Sequence, residues 1–134
     1  MGGMDIMVSI ALYQIFGKPF ILYLGVLVII SFIVTSIVGL SFYRGLLKFK
    51  WHPIMVVVSF FLAIIMTIIG PSVGKPFIGI LGLFTLFSFV ITAMIGLSIH
   101  HRWLNIRFIW HPIMVIVSFI LAIIHGLLSI LAFS

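Results

Sequence analysis

The sequence predicts an all-α protein, a four-helix transmembrane bundle built from a tandem two-helix parallel repeat. Three observations carry that expectation. The 134 residues are 65% hydrophobic and only 6% charged, with a mean hydropathy of +1.54, which leaves too little polar surface to cover a water-soluble domain. Four apolar windows of about 20 residues match the length a helix needs to cross a bilayer. The string Trp51-His52-Pro53-Ile54-Met55-Val56 returns as Trp110-His111-Pro112-Ile113-Met114-Val115, so the windows come in two related pairs.

Taken in order, Met1 to Phe16 is apolar but lacks a basic n-region, so it does not read as a cleavable signal peptide. Residues 4 to 16 are expected as an interfacial helix or ordered arm within residues 1–16, with Asp5 as the only acid of the chain. Gly2 is not followed by Ser or Thr at position 6, which argues against myristoylation. Gly17-Lys18-Pro19 then interrupts the apolar pattern.

Repeat 1 occupies residues 17–70, with spans from Phe20 to Phe42 and from Trp51 to Ile69. Repeat 2 occupies residues 74–133, with spans from Phe77 to Ile99 and from Trp110 to Phe133. Ser31, Thr35, Gly39 and Ser41 recur as Ser88, Thr92, Gly96 and Ser98 at an offset of 57, whereas the Trp-His-Pro strings lie 59 apart. The second inter-span loop is therefore two residues longer, around His100 to Trp103. Gly70 to Pro76 is a linker rich in turn formers. Two helices cannot enclose an interior, so residues 1–134 are expected to form a single membrane domain.

Because each repeat contains two spans, both copies enter the membrane from the same side, related by a pseudo-two-fold axis along its normal. Arg44, Lys48, Lys50, Arg102 and Arg107 lie in the loops within repeats, against Lys18 and Lys75 at the other end. The positive-inside rule then places the basic loops (Arg44 to Lys50 and Arg102 to Arg107) in the cytoplasm and both termini on the non-cytoplasmic side. The net charge of +6 is thus a topology signal and not the footprint of a nucleic-acid partner.

Composition also excludes chemistry. No cysteine is present, so disulfides, thiolate ligands and cysteine nucleophiles are absent. One acid cannot form a carboxylate pair or a serine-histidine-acid triad, and the sequence carries no independent catalytic signature.

The histidines remain. Trp-His-Pro at the start of a span has a structural explanation: tryptophan at the interface, proline in the first helical turn, histidine bonding headgroups or the loop. A second explanation comes from fourteen positions along each helix, where Met66 follows His52 and His125 follows His111. That spacing returns to within about 40° of the same face and rises about 21 Å. If spans 2 and 4 face each other, His52 meets His111 and Met66 meets His125, and each pair is a ligand set that haem iron accepts. His125 within a span equally fits an interhelical hydrogen bond to Ser or Thr, or a proton path. Together with paired threonines, it could also line the path of a small transporter.

Two histidines separated by thirteen residues on one membrane helix resemble the ligand spacing of dihaem transmembrane cytochromes b. His52-Pro53-Ile54-Met55 and His111-Pro112-Ile113-Met114 are similar to the His-Pro-x-x-Met motif of the ascorbate-reducible type. The resemblance implies haem b held by His52 and His111. An outer haem held by His125 and Met66 would follow from spans 2 and 4 facing each other, and departs from those families, which have two histidines where this chain has His52 and Met66. That family has histidines on the other two helices as well, where only His100 and His101 correspond. Those two, with His52 and His111, could instead gather copper or zinc at one membrane face.

Ser59 with Ala63, and Ser118 with Ala122, are small-xxx-small pairs on the histidine face. They suit close helix approach and equally suit clearance for a porphyrin edge. Thr35 with Gly39, and Thr92 with Gly96, read as packing notches. The function expected is a small membrane subunit, b-type haem-binding and transferring electrons within a larger redox complex. The alternative is a non-catalytic accessory subunit without cofactor, its partners being the bilayer and other membrane subunits.

Overall fold

The computed structural model describes residues 2–70 and 75–133, and the side chain of Met4 is not among them. The turn-rich linker falls largely outside the described residues. Five helices appear among these residues: α1 (Gly2–Ala11), α2 (Phe20–Tyr43), α3 (Trp51–Ile69), α4 (Pro76–His101) and α5 (Trp110–Phe133). The last four are long and apolar enough to cross a membrane.

The arm departs from a plain helix. After α1 comes a two-stranded antiparallel ladder, β1 (Gln14–Ile15) with β2 (Lys18–Pro19), pairing Gln14 with Pro19 and Ile15 with Lys18. Its two-residue turn has φ of 49° at Phe16 and 76° at Gly17, the pair of positive values that a type I′ hairpin requires. The Gly-Lys-Pro break is therefore a hairpin, and strands were not expected there. Ala11 is buried with Ile21 and Leu24, against Ile65, Met66 and Phe133, so the arm docks on the end of the bundle opposite the basic loops.

At that basic end, Gly45 (φ 73°) and Arg102 (φ 54°) take left-handed conformations after α2 and α4. The following amides, of Leu46 and Trp103, close back on the carbonyls of Ser41 and Ser98 at 2.8 and 3.1 Å. Pro53 and Pro112 fall in the first turns of α3 and α5, where a missing N–H costs no helical bond.

Packing is dense within the hairpins α2/α3 and α4/α5, and thin between them, where α2 meets α5 and α3 meets α4. The small-xxx-small pairs serve the dense contacts. Ser59 and Ser118 are fully buried, and their hydroxyls meet those of Thr35 and Thr92 at 2.9 and 3.1 Å. Thus the serines join the helices of one hairpin and do not draw α3 against α5.

Across the seam, Phe32 and Phe89 stack with centroids 3.9 Å apart, and Phe60 and Phe119 meet them edge-on at 5.6 Å each. Ala63 and Ala122 complete this cluster. Only 11% to 33% of each span's apolar window is buried. Most of the apolar surface therefore faces outward, where lipid or another apolar protein must cover it.

Thr35→Val should destabilise the fold by about 1 kcal/mol, since it strips Ser59 of a buried partner. In a reversible unfolding assay, the coupling between Thr35→Val and Ser59→Ala should be about 0.6 kcal/mol, typical of hydrogen bonds between membrane helices.

Candidate functional site

The expected meeting of equivalent residues occurs at the basic end of the seam. The His52 and His111 rings stand 6.3 Å apart, centroid to centroid, with their planes at 88°. Each ring is fixed by its own hairpin: Nδ1 of His52 donates to the Thr35 carbonyl at 3.1 Å, and Nδ1 of His111 to the Thr92 carbonyl at 3.1 Å. A carbonyl only accepts, so Nδ1 carries the proton, and in the neutral ring Nε2 keeps its lone pair. This is the tautomer found in ligating histidines, whose other nitrogen is bonded to a backbone carbonyl or carboxylate.

Glycine makes the anchor possible. A Cβ on Gly39 would lie 2.8 Å from Cε1 of His52, and one on Gly96 would lie 2.8 Å from Cε1 of His111. Both glycines follow the anchoring threonine by four residues, one turn along the same face. The notches foreseen at Thr35/Gly39 and Thr92/Gly96 are seats for imidazole.

Two more seats lie toward the arm end, and the sequence reading missed them. A Cβ on Gly82 would lie 2.9 Å from Cε1 of His125, and one on Gly25 would lie 3.2 Å from Cε of Met66. A signal was available: Gly25 to Gly39 and Gly82 to Gly96 are each fourteen residues. That is the spacing of His52 to Met66 and of His111 to His125.

His125 has the corresponding backbone beside it, less closely held. The Ile78 backbone, four residues before Gly82, faces its ring as Thr35 and Thr92 face theirs, with Nδ1 just outside hydrogen-bond geometry. The Ser or Thr partner expected for His125 is not what it meets; the Ser129 hydroxyl bonds the His125 carbonyl at 2.8 Å instead. Met66 and His125 border one apolar cavity of about 120 Å³, together with Gly25, Gly82, Phe32 and Phe89.

His100 and His101 make ring contacts of their own. His100 stacks on Phe49 with centroids 3.9 Å apart, and His101 on Trp103 at 4.9 Å. Tyr43, which corresponds to His100 in repeat 1, stacks on Phe108 at 5.3 Å. The Phe49/His100 and Tyr43/Phe108 stacks tie the two hairpins together at the basic end, whereas His101/Trp103 lies within one hairpin. Among the described residues no three or more of His, Cys, Asp and Glu converge as a metal site.

The site thus offers two donors at each of two levels, one from each hairpin. Compared with protein-family models, curated proteins and solved structures, the chain matches none.

Gly39→Ala and Gly82→Ala should each cost about 1–3 kcal/mol, because the added methyl collides with an imidazole. Gly79→Ala, with open space around it, should be neutral or stabilising. Thermal unfolding of the three variants in one detergent checks this ordering.

Proposed function

We propose that this chain is a b-type haem-binding membrane subunit that passes electrons between the two ends of its bundle within a larger redox complex. The observation that carries the reading is the His52/His111 pair. Two ring nitrogens on opposite sides of one metal, each about 2 Å from it, put the ring centroids about 6 Å apart, and the observed 6.3 Å suits that arrangement. Two donors alone are a poor zinc site, which asks for three or four protein ligands. They suffice for haem iron, whose macrocycle supplies the rest.

Met66 and His125 are the second pair, a methionine-histidine set that haem iron also accepts. The cavity they border, about 120 Å³, is smaller than the roughly 300–1,000 Å³ of cofactor pockets. Binding at the Met66/His125 level therefore requires the hairpins to part there. Their thin mutual packing keeps the cost of parting low, while the dense packing within each hairpin holds the ligand seats.

When bound, haem would supply one-electron chemistry. The chain's own residues do the rest: carbonyls of Thr35 and Thr92 orient the imidazoles and raise their basicity, and the phenylalanine cluster between the levels excludes water. The reading includes the topology of two parallel repeats, with basic loops in the cytoplasm and both termini outside. The outward apolar faces suit lipid and neighbouring membrane subunits.

A second reading, a non-catalytic accessory subunit, draws on one observation. The same carbonyl bonds and glycine seats would also serve as plain helix-helix adhesion without any ligand.

A reduced-minus-oxidised spectrum of protein purified from haem-replete membranes separates the two. The proposal expects a Soret band and a reduced α-band near ~560 nm, with His111→Ala losing the inner contribution while helicity is retained. No haem absorbance would favour the accessory subunit. For topology, the cysteine-free chain accepts single probes. Leu46→Cys should react with an impermeant maleimide only after the cytoplasmic side is opened, and Leu12→Cys should react from outside.

A further inference from the structure

Toward the arm end the two repeats depart from each other on the walls of one cavity, the space of about 120 Å³ between the hairpins. Matched at offsets of 57 and 59, Leu22 gives way to Gly79, Val28 to Thr85, Met66 to His125 and Gly70 to Ser129. All eight line the cavity. The wall from repeat 2 is thus both emptier and more polar than its counterpart. Gly79 is the clearest case. Gly25 and Gly82 seat Met66 and His125, whereas a Cβ on Gly79 would meet nothing within 4 Å. Its bare backbone leaves open a space that a leucine would fill.

We infer that this cavity is a binding site for a small hydroxylated aromatic molecule of the phenol class, its ring beside Phe32, Phe89 and Phe119 and its hydroxyl donated to Nε2 of His125. Size selects a single ring, since an apolar cavity of roughly 150 Å³ holds benzene. Polarity selects the hydroxyl. The hydroxyls of Thr85 and Ser129 give their protons to the carbonyls of Leu81 and His125, at 2.9 and 2.8 Å, and that of Thr67 gives its proton to the Ala63 carbonyl at 2.8 Å. With the Nδ1 proton of His125 turned to the Ile78 backbone, Nε2 keeps its lone pair. Lys75 also borders the cavity but is exposed. The interior side chains therefore offer acceptors and no spare proton, so the fitting ligand is a donor.

A lipid acyl chain fits this wall less well. It brings no donor, so it leaves the imidazole nitrogen unpaired, and it has no use for the polar groups that replace Val28, Met66 and Gly70. A few well-placed polar groups in an apolar cavity are the pattern of a small-molecule site. The site stands apart from the haem reading: His52 and His111 take no part in it, and a ring held here and a haem at the Met66/His125 level exclude each other.

Fluorine NMR of the protein in lipid nanodiscs tests the site, with 4-fluorophenol and fluorobenzene as probes and empty nanodiscs as the blank for partition into lipid. The wild type should broaden the 4-fluorophenol signal saturably, unlabelled phenol should restore it, and fluorobenzene should bind roughly tenfold more weakly. Residues of repeat 1 supply the variants. Gly79→Leu should abolish binding by filling the space of the ring, and the milder Gly79→Ala should weaken it. His125→Met should remove the preference for 4-fluorophenol while sparing fluorobenzene. A wild type without saturable binding, binding unchanged in both Gly79 variants, or equal affinity for the two probes would each overturn the site. Haem absorbance is read separately, so either proposal can fall alone.

Discussion

An imidazole laid edge-on against bare glycine backbone, with Nδ1 held by the carbonyl one turn earlier, is the contact on which the rest depends. It demands glycine at positions 39 and 96, since any side chain there would occupy the ring's place. It demands a helix partner close enough for that approach, which the buried Thr35–Ser59 and Thr92–Ser118 hydroxyl pairs secure. It also fixes the tautomer, leaving Nε2 as the free nitrogen of each ring. Geometry within a hairpin thus sets what the two hairpins present to each other.

That division explains the uneven packing. Within a hairpin, small and hydroxyl side chains bring backbones together, as membrane helices require where lipid is as apolar as leucine. Between hairpins the contacts are aromatic: the Phe32/Phe89 stack midway, and the Tyr43/Phe108 and His100/Phe49 stacks at the basic end. Such a seam holds its register at two levels, midway and at the basic end.

Much of this was legible in the chain. Four apolar windows fall within a residue or two of α2 to α5, and the repeated Trp-His-Pro marks the starts of α3 and α5 because tryptophan and proline both suit those positions. The facing of His52 and His111 followed from the repeat once spans 2 and 4 were taken to face each other. The hairpin after α1 was not foreseen, because Phe16 in a left-handed conformation is not a residue from which a type I′ turn is read. The glycine seats were half seen. Gly39 and Gly96 stood out beside threonine, but Gly25 and Gly82 have no such neighbour and are recognisable only by matching their spacing to that of the histidines. The serine-alanine pairs lie on the expected face, yet whether they approach the next helix or the opposite one depends on packing that periodicity does not encode.

The central claim, that His52 and His111 form one axial pair, is tested most directly by electron paramagnetic resonance of the oxidised, purified protein at low temperature. Two axial imidazoles with planes near 88° to each other predict a low-spin ferric signal of the strongly anisotropic kind that perpendicular rings produce, lost in His52→Ala. A signal that is wholly high-spin, or a low-spin signal unchanged in His52→Ala, would contradict it.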